Sequence, residues 1–346
     1  MIRKYLVVLL SIFHLTLSAE IYDCFVFFNE LELLKVRFEE LYDKVDHFVL
    51  VEAKQTFCGD PKPLYFAENA ECFAQYKHKI IHVVVEEFPP PTNNLEHEDW
   101  WVRHEFQLNA ALRGLESCNS DDIIMISDLD EIPHREAIDK ISNFFEIRKK
   151  AVDKALNGSG KRGRHSKNKQ ANQSKDSIEK KENRFVCALN MRLLLFHLNC
   201  ESWHGWNGAV KAAPYWLVKK RSPWNVKLLH MYDRDLFKIE NAGWHFHSMG
   251  GYARILDKLS SIYRYDNKSF TDPAVLRSMV PGFNDLKGNE SVEAWPESLE
   301  IAKNPTLFMK WSRTVFGSTV VPFDAFYPKY ILENLDYFRS MGWVAD

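Results

Sequence analysis

The sequence predicts an α/β fold, a doubly wound mixed sheet with helices on both faces. Apolar runs of strand length alternate with helical stretches from residue 21 onward. The spacing leaves room for a crossover helix between parallel strands. One apolar run ends in a cluster of acids, where open parallel sheets keep their ligands. Among 346 residues, 46% hydrophobic and 14% aromatic with ten Trp, there is material for one large globular core.

Ile21 to Phe28 reads as the first strand. Asn29, with Glu32 three residues on, reads as a helix N-cap, and Leu31, Leu34, Phe38 and Leu41 form the apolar stripe of the helix that follows. Asp46 to Ala53 and Lys79 to Glu86 are the next strands. A helix from about Asp99 to Ser117 shows Trp101, Leu108, Leu112 and Leu115 on one face. Asp122 to Asp128 is then a strand with an apolar centre, Ile123 to Ile126. Phe185 to Leu198 and Ala209 to Lys219 resume the strand pattern, and Ile255, Leu259 and Ile262 return to helical spacing.

Charge is unevenly spread. Residues 148–184 hold thirteen Lys or Arg against four Asp or Glu, so the rest of the chain carries eleven net negative charges. That body has no reason to bind nucleic acid, and the basic stretch, poor in large apolar residues, reads as a disordered insertion. At the N-terminus, Arg3 and Lys4 precede an apolar run from Tyr5 to Leu17, then Ser18 and Ala19. Thirteen residues reach roughly 20 Å against a hydrocarbon core of about 30 Å, so residues 1–19 read as a signal peptide or a short signal-anchor. Membrane association would come through that segment alone, if it is uncleaved. Four acceptor sequons, at Asn157, Asn172, Asn267 and Asn289, agree with a lumenal destination. Cysteines at 24, 58, 72, 118, 187 and 200 form an even set. In an oxidising compartment some would pair, Cys58 with Cys72 and Cys187 with Cys200 being the local options.

The chemistry concentrates in Ser127-Asp128-Leu129-Asp130-Glu131-Ile132-Pro133. A departing nucleoside diphosphate carries dense negative charge, and a hard divalent cation held by carboxylates stabilises it. Asp128 and Asp130 are the candidate ligands. A bare Asp-x-Asp is common, and aspartate after a strand often only caps a turn. The position at a strand's carboxyl end distinguishes this pair.

Four segments, residues 27–53, 77–90, 121–133 and 241–248, resemble in order the catalytic domain of glycosyltransferase family 17. The resemblance implies a GT-A-like, Rossmann-type mixed sheet with helices on both faces, forming a single catalytic domain over residues 20–346. It also implies inverting, metal-dependent transfer of N-acetylglucosamine from UDP-GlcNAc, with Mn2+ or Mg2+, to the β-mannose of an N-glycan core or a related glycoconjugate. The partners are then a nucleotide sugar and a glycoprotein glycan, in the Golgi lumen, anchored, soluble or secreted. Another UDP-sugar donor, or a secreted carbohydrate-binding protein without turnover, are the alternatives. The basic insertion has no counterpart in the family.

Further candidates follow. Glu52 ends the second strand, where the family also has Glu, and could bind the nucleoside; it could equally be a surface acid. Arg103 could pair with donor phosphate or lie solvated on a helix. In Gly243-Trp244-His245-Phe246-His247-Ser248, His245 could complete a metal sphere or be a core histidine, and Trp244 is a candidate donor contact. Trp203, Trp206 and Asn207, read as a loop, could meet the acceptor sugar, though core packing is the common fate of Trp. An inverting transfer needs a general base, and Glu131, Asp233, Asp235, Glu240 and Asp257 are all available.

Overall fold

A computed structural model describes residues 19–90, 99–158, 175–230, 233–250, 254, 257, 258, 261 and 317–345. Strand β1 (Ile21–Phe27), helix α1 (Leu31–Leu41) and strand β2 (His47–Ala53) form the first crossover. A short helix α2 (Tyr65–Glu68) and a 3-10 segment lead into β3 (Ile80–Val85). Helix α3 (Asp99–Asn109) and a 3-10 turn then return the chain to β4 (Ile123–Asp128). These four strands are parallel, in the order β3-β2-β1-β4.

β4 is the switch point. Its other neighbour is the antiparallel β7 (Cys200–Pro214), which forms a long hairpin with β6 (Cys187–Leu195). β9 (Gly243–His247) runs parallel to β6, and the three-residue β5 (Glu131–Pro133) closes the edge antiparallel to β9. Short strands β8 (Phe237–Ile239) and β10 (Ser318–Val320) attach to β6 and β7.

The sheet separates two cores because strand side chains alternate. Phe25 and Phe27 of β1 pack with Leu34 and Phe38 of α1 and with Ile138 and Ile141 of α4 (Arg135–Gly158). Tyr22 and Cys24 turn the other way, to Leu108 of α3 and Leu115 beyond it. Helices thus cover both faces, as the alternating runs predict. Phe38 is fully buried against Phe25, Phe48, Phe73 and Tyr76, so truncating it to Ala would cost about 3–5 kcal/mol.

Several expectations are corrected. Glu30, not Asn29, occupies the N-cap position of α1 and makes no capping bond; the Asn29 amide donates instead to Asp257 at 2.6 Å. Both ends of the basic stretch are helical, in α4 and in α5 (Lys175–Asn183). Ala and Lys are good helix formers, and Phe144 and Phe145 anchor α4 to the core, so the helix propagates past its buried face. Residues 159–174 lie outside the described residues.

Trp203 to Asn207 belong to β7 rather than a loop, with Trp206 and Asn207 paired to Met191 and Asn190 of β6 and β10 pairing just before them at Cys200–Ser202. Gly205 and Gly208, at φ +64° and +68°, accompany the register shifts that disguise this strand. All six cysteines remain thiols. Cys187 lies opposite Ala212 whereas Cys200 opens β7, so the two stand at opposite ends of the hairpin. Of the sequons, Asn157 falls in the last turn of α4; Asn172, Asn267 and Asn289 lie outside the described residues, as do residues 1–18, Ile255, Leu259 and Ile262. Among the described residues, no helix is long and apolar enough to cross a membrane.

Candidate active site

The acids leave the carboxyl end of β4, beside the switch from parallel to antiparallel neighbours. Their turn is built on one buried arginine. Arg37 of α1, with no exposed surface, binds Asp23 of β1 through Nε and Nη2 at 2.7 and 2.6 Å. Its Nη1 donates to the carbonyls of Asp128, Leu129 and Glu131 at 3.0–3.1 Å, and its Nη2 to Ser127 Oγ at 2.6 Å. A guanidinium's fixed fork of donors can serve several carbonyls of one such turn at once.

The pairing of β5 with β9 sets His245 opposite Glu131, and the Phe246 N–H donates to the Asp130 carbonyl at 2.8 Å. Gly243 permits this approach: its φ is +144°, and a Cβ there would stand 2.2 Å from the Ile132 carbonyl oxygen. Asp130, His245 and His247 consequently bring one ligand atom each within 4.8 Å of one another. Asp128 is outside that set. Its Oδ1 meets His104 Nε2 at 3.1 Å and its Oδ2 meets Lys227 Nζ at 3.1 Å.

Lys227 also binds Glu131 at 2.6 Å, and Lys258 binds Asp130 at 2.9 Å. Burial alone would raise both aspartates, but Lys227 and His104 hold Asp128, and Lys258 and His245 hold Asp130, well below the usual carboxylate range. Burial opposes the charge on both lysines too, yet the carboxylates keep Lys227 and Lys258 above the ordinary lysine value. The Glu131 carboxylate accepts from Trp206 Nε1 at 2.9 Å and from the Asp128 N–H at 2.9 Å.

One carboxylate with two imidazoles is a donor set for a borderline divalent ion, and it suits Mn2+ better than Mg2+. The residues present fit such an ion: His245 is buried, its ring stacks obliquely on Trp206, and its Nδ1 has no hydrogen-bond partner. The cleft around them, about 290 Å3, is walled by Phe57, Trp100, Trp101 and His104 on one side and Trp206 on the other.

Asp128, Asp130, His245 and Trp206 thus line one cleft; the other donor and acceptor candidates do not. Glu52 is fully buried, accepting from the Phe66 N–H at 3.0 Å and pairing with His82 at 3.0 Å, which anchors α2. Arg103 turns away to the Phe57 carbonyl and packs against Gly59. Trp244 has no exposed surface and sits among His134, Phe246 and Phe326. Trp203 and Asn207 line a different depression.

Of the suggested bases, Glu131 lines the cleft, while Asp233, Asp235 and Glu240 are bonded to Asn183, Arg184 and Asn190. Asp257 accepts from Asn29. Sequence reading missed His247, two places after His245 on the same strand face, and His104, which follows Arg103. It also missed Glu30, Arg37, Lys227 and Lys258, for which spacing holds no signal.

Fold and site define the class: an α/β protein with a candidate metal centre at the carboxyl end of its switch-point strand. Residues 10–149 match the model of glycosyltransferase family 17, so the resemblance carried by the first three segments is shown. The tract around His245 lies beyond that match. Over 116 residues the chain is 35% identical to the human and rat β-1,4-mannosyl-glycoprotein 4-β-N-acetylglucosaminyltransferases and 34% to that of mouse. The matches cover 32% of this chain and 21% of each relative. A mannosyltransferase from Pyrobaculum calidifontis, solved with GDP-Man and Mn2+, aligns over 95% of this chain and 85% of its own at 12% identity. Its TM-score of 0.33 carries no argument.

Proposed function

We propose that the chain is an inverting glycosyltransferase that moves N-acetylglucosamine from UDP-GlcNAc to the β-mannose of an N-glycan core or a related glycoconjugate. The observation that carries this reading is Asp130 beside His245 and His247 at the end of β4, next to a segment that matches family 17. Asp130, His245 and His247 would hold a divalent ion, manganese in this proposal, which would supply counter-charge to the donor diphosphate. Lys258, now on Asp130, adds a second positive charge on the same wall. Asp128 acts indirectly, fixing His104 and Lys227 around the cleft.

Trp206 presents an indole for the acceptor sugar. Glu30 is the general base in this proposal. It lines the cleft, its Oε2 accepts the Asn29 N–H at 3.2 Å, and its Oε1 lies 3.6 Å from the Lys258 ammonium that also reaches Asp130. A Golgi lumen setting belongs to the same proposal, supported by the N-terminal apolar run and the sequons.

The test is UDP release from a panel of UDP-sugars with manganese, with product analysis on mannose-terminated oligosaccharides, comparing wild type with Asp130→Ala. Turnover of UDP-GlcNAc that Asp130→Ala abolishes is expected. Equal turnover in the two proteins would overturn the metal assignment, and preference for another UDP-sugar would overturn the donor.

A further inference from the structure

Strand β7 serves two separate depressions. Trp206 points into the acid-lined cleft, while Gly205 and Asn207, its neighbours on the strand, line a shallow second depression with Trp203. The two linings share no residue. Trp203 is 72% exposed, a large apolar surface left in water where burial would stabilise the fold.

That indole is nevertheless held in place. It stacks on His204 with ring centroids 3.8 Å apart, and Gly317, at φ +57°, leaves the space its edge fills: a Cβ there would stand 1.7 Å from Trp203 Nε1. Around it stand the Asn190–Glu240 pair at 2.8 Å, the Arg192–Glu201 pair, and Asn207. Among the described residues, the Asn207 amide has no protein hydrogen-bond partner.

We infer that this depression is a second carbohydrate-binding site, taking a pyranose unit of the glycan outside the reacting sugar. A fixed, open indole offers a flat apolar surface to the C–H face of a pyranose, and the fence of amides and carboxylates supplies both acceptors and donors for its hydroxyls. At the wall Arg192 offsets Glu201, which leaves Glu240 as the unmatched charge that disfavours a phosphate or a nucleotide. Trp203 and Trp206, three strand positions apart, turn to opposite sides of β7, so the depression is a separate site and not a continuation of the cleft. The inference rests on reading the chain as one that handles glycans, but not on its transferring a sugar.

The experiment omits donor and metal. Mannotriose and chitotriose are titrated into the full chain and followed by saturation-transfer NMR and tryptophan fluorescence, in wild type, Trp203→Ala, Trp203→Phe, Asn207→Ala and Asp130→Ala. Binding of at least one trisaccharide by wild type and by Asp130→Ala is expected. Trp203→Ala should weaken it tenfold or more and Asn207→Ala severalfold, with Trp203→Phe retaining most of the affinity. Binding by Trp203→Ala equal to wild type, or no binding of either sugar by wild type, would overturn the site. Should Trp203→Ala fail to fold, Asn207→Ala and Trp203→Phe decide it: undiminished affinity in Asn207→Ala together with loss in Trp203→Phe would overturn it. Should Asp130→Ala bind sugar while no UDP-sugar is turned over by wild type, the transfer reading fails and the second site stands.

Discussion

The cleft and the Trp203 depression flank the same strand, yet they are built by opposite means. In the cleft nearly every polar group is buried and already paired: Asp128 with His104 and Lys227, Asp130 with Lys258, Glu131 with Lys227 and Trp206. In the depression the central indole and the Asn207 amide face outward without such partners. The difference sets what a substitution does. Removing one member of a buried ion pair strands the other in a low dielectric, whereas removing an exposed side chain costs only the contacts its ligand makes.

The largest effect is expected beneath the cleft. Arg37→Met leaves Asp23 buried without its counter-charge and four turn acceptors without their donors, which should lower stability by about 3–5 kcal/mol in urea unfolding. An Asp23→Asn and Arg37→Met double variant should recover part of that loss. If the double variant is as unstable as the sum of the singles, the pair is not what holds the turn.

Next comes Asp130→Ala, which should lower UDP release about a thousandfold and abolish manganese binding measured by calorimetry. Retained metal affinity would move the ligand role to other residues. Glu30→Gln should lower transfer about a hundredfold while leaving donor affinity within about threefold, read by separate kcat and KM measurements. A change in KM alone would make Glu30 a binding residue.

The smallest effect tests the rule about counter-charge. Glu40 is as buried as Asp130 but its carboxylate accepts the Arg135 backbone N–H rather than an ammonium. Burial therefore dominates: it pushes Glu40 up to about 7, against an ordinary 4.5, the Arg135 N–H and guanidinium only partly offsetting it. The folded protein holds this proton more tightly than the unfolded chain. Its stabilising share is full below about pH 4.5, falls as pH rises, and is gone above about pH 7. Glu40→Gln should remove that slope and exceed wild type by about 2 kcal/mol in urea unfolding at pH 8. Identical pH profiles for the two proteins would refute the assignment.

Local periodicity made most of the first half legible. Ile21–Phe27, His47–Ala53, Ile80–Val85 and Ile123–Asp128 each fall within a residue or two of the run that announces them, because buried parallel strands are written as continuous apolar stretches. Asp130 and His245 were legible for a related reason, each lying at or beside such a strand. β7 was half hidden: two left-handed glycines and a row of polar and aromatic residues look like a loop until the pairing with β6 is seen.

The sequence alone determined the α/β order of elements, the placement of the acids at a strand's carboxyl end, and the match of residues 10–149 to a family model. Only the tertiary structure decided which groups share the cleft. The β5–β9 pairing brings His245 and His247 to Asp130 across more than a hundred residues of chain, and Lys227 and Lys258 arrive from segments with no motif of their own. It also turned Glu52, Arg103 and Trp244 inward and parted Trp203 and Asn207 from Trp206. Local spacing fixes which face of its own element a residue occupies; charge pairing across distant elements depends on how those elements pack, and that is not written in any one of them.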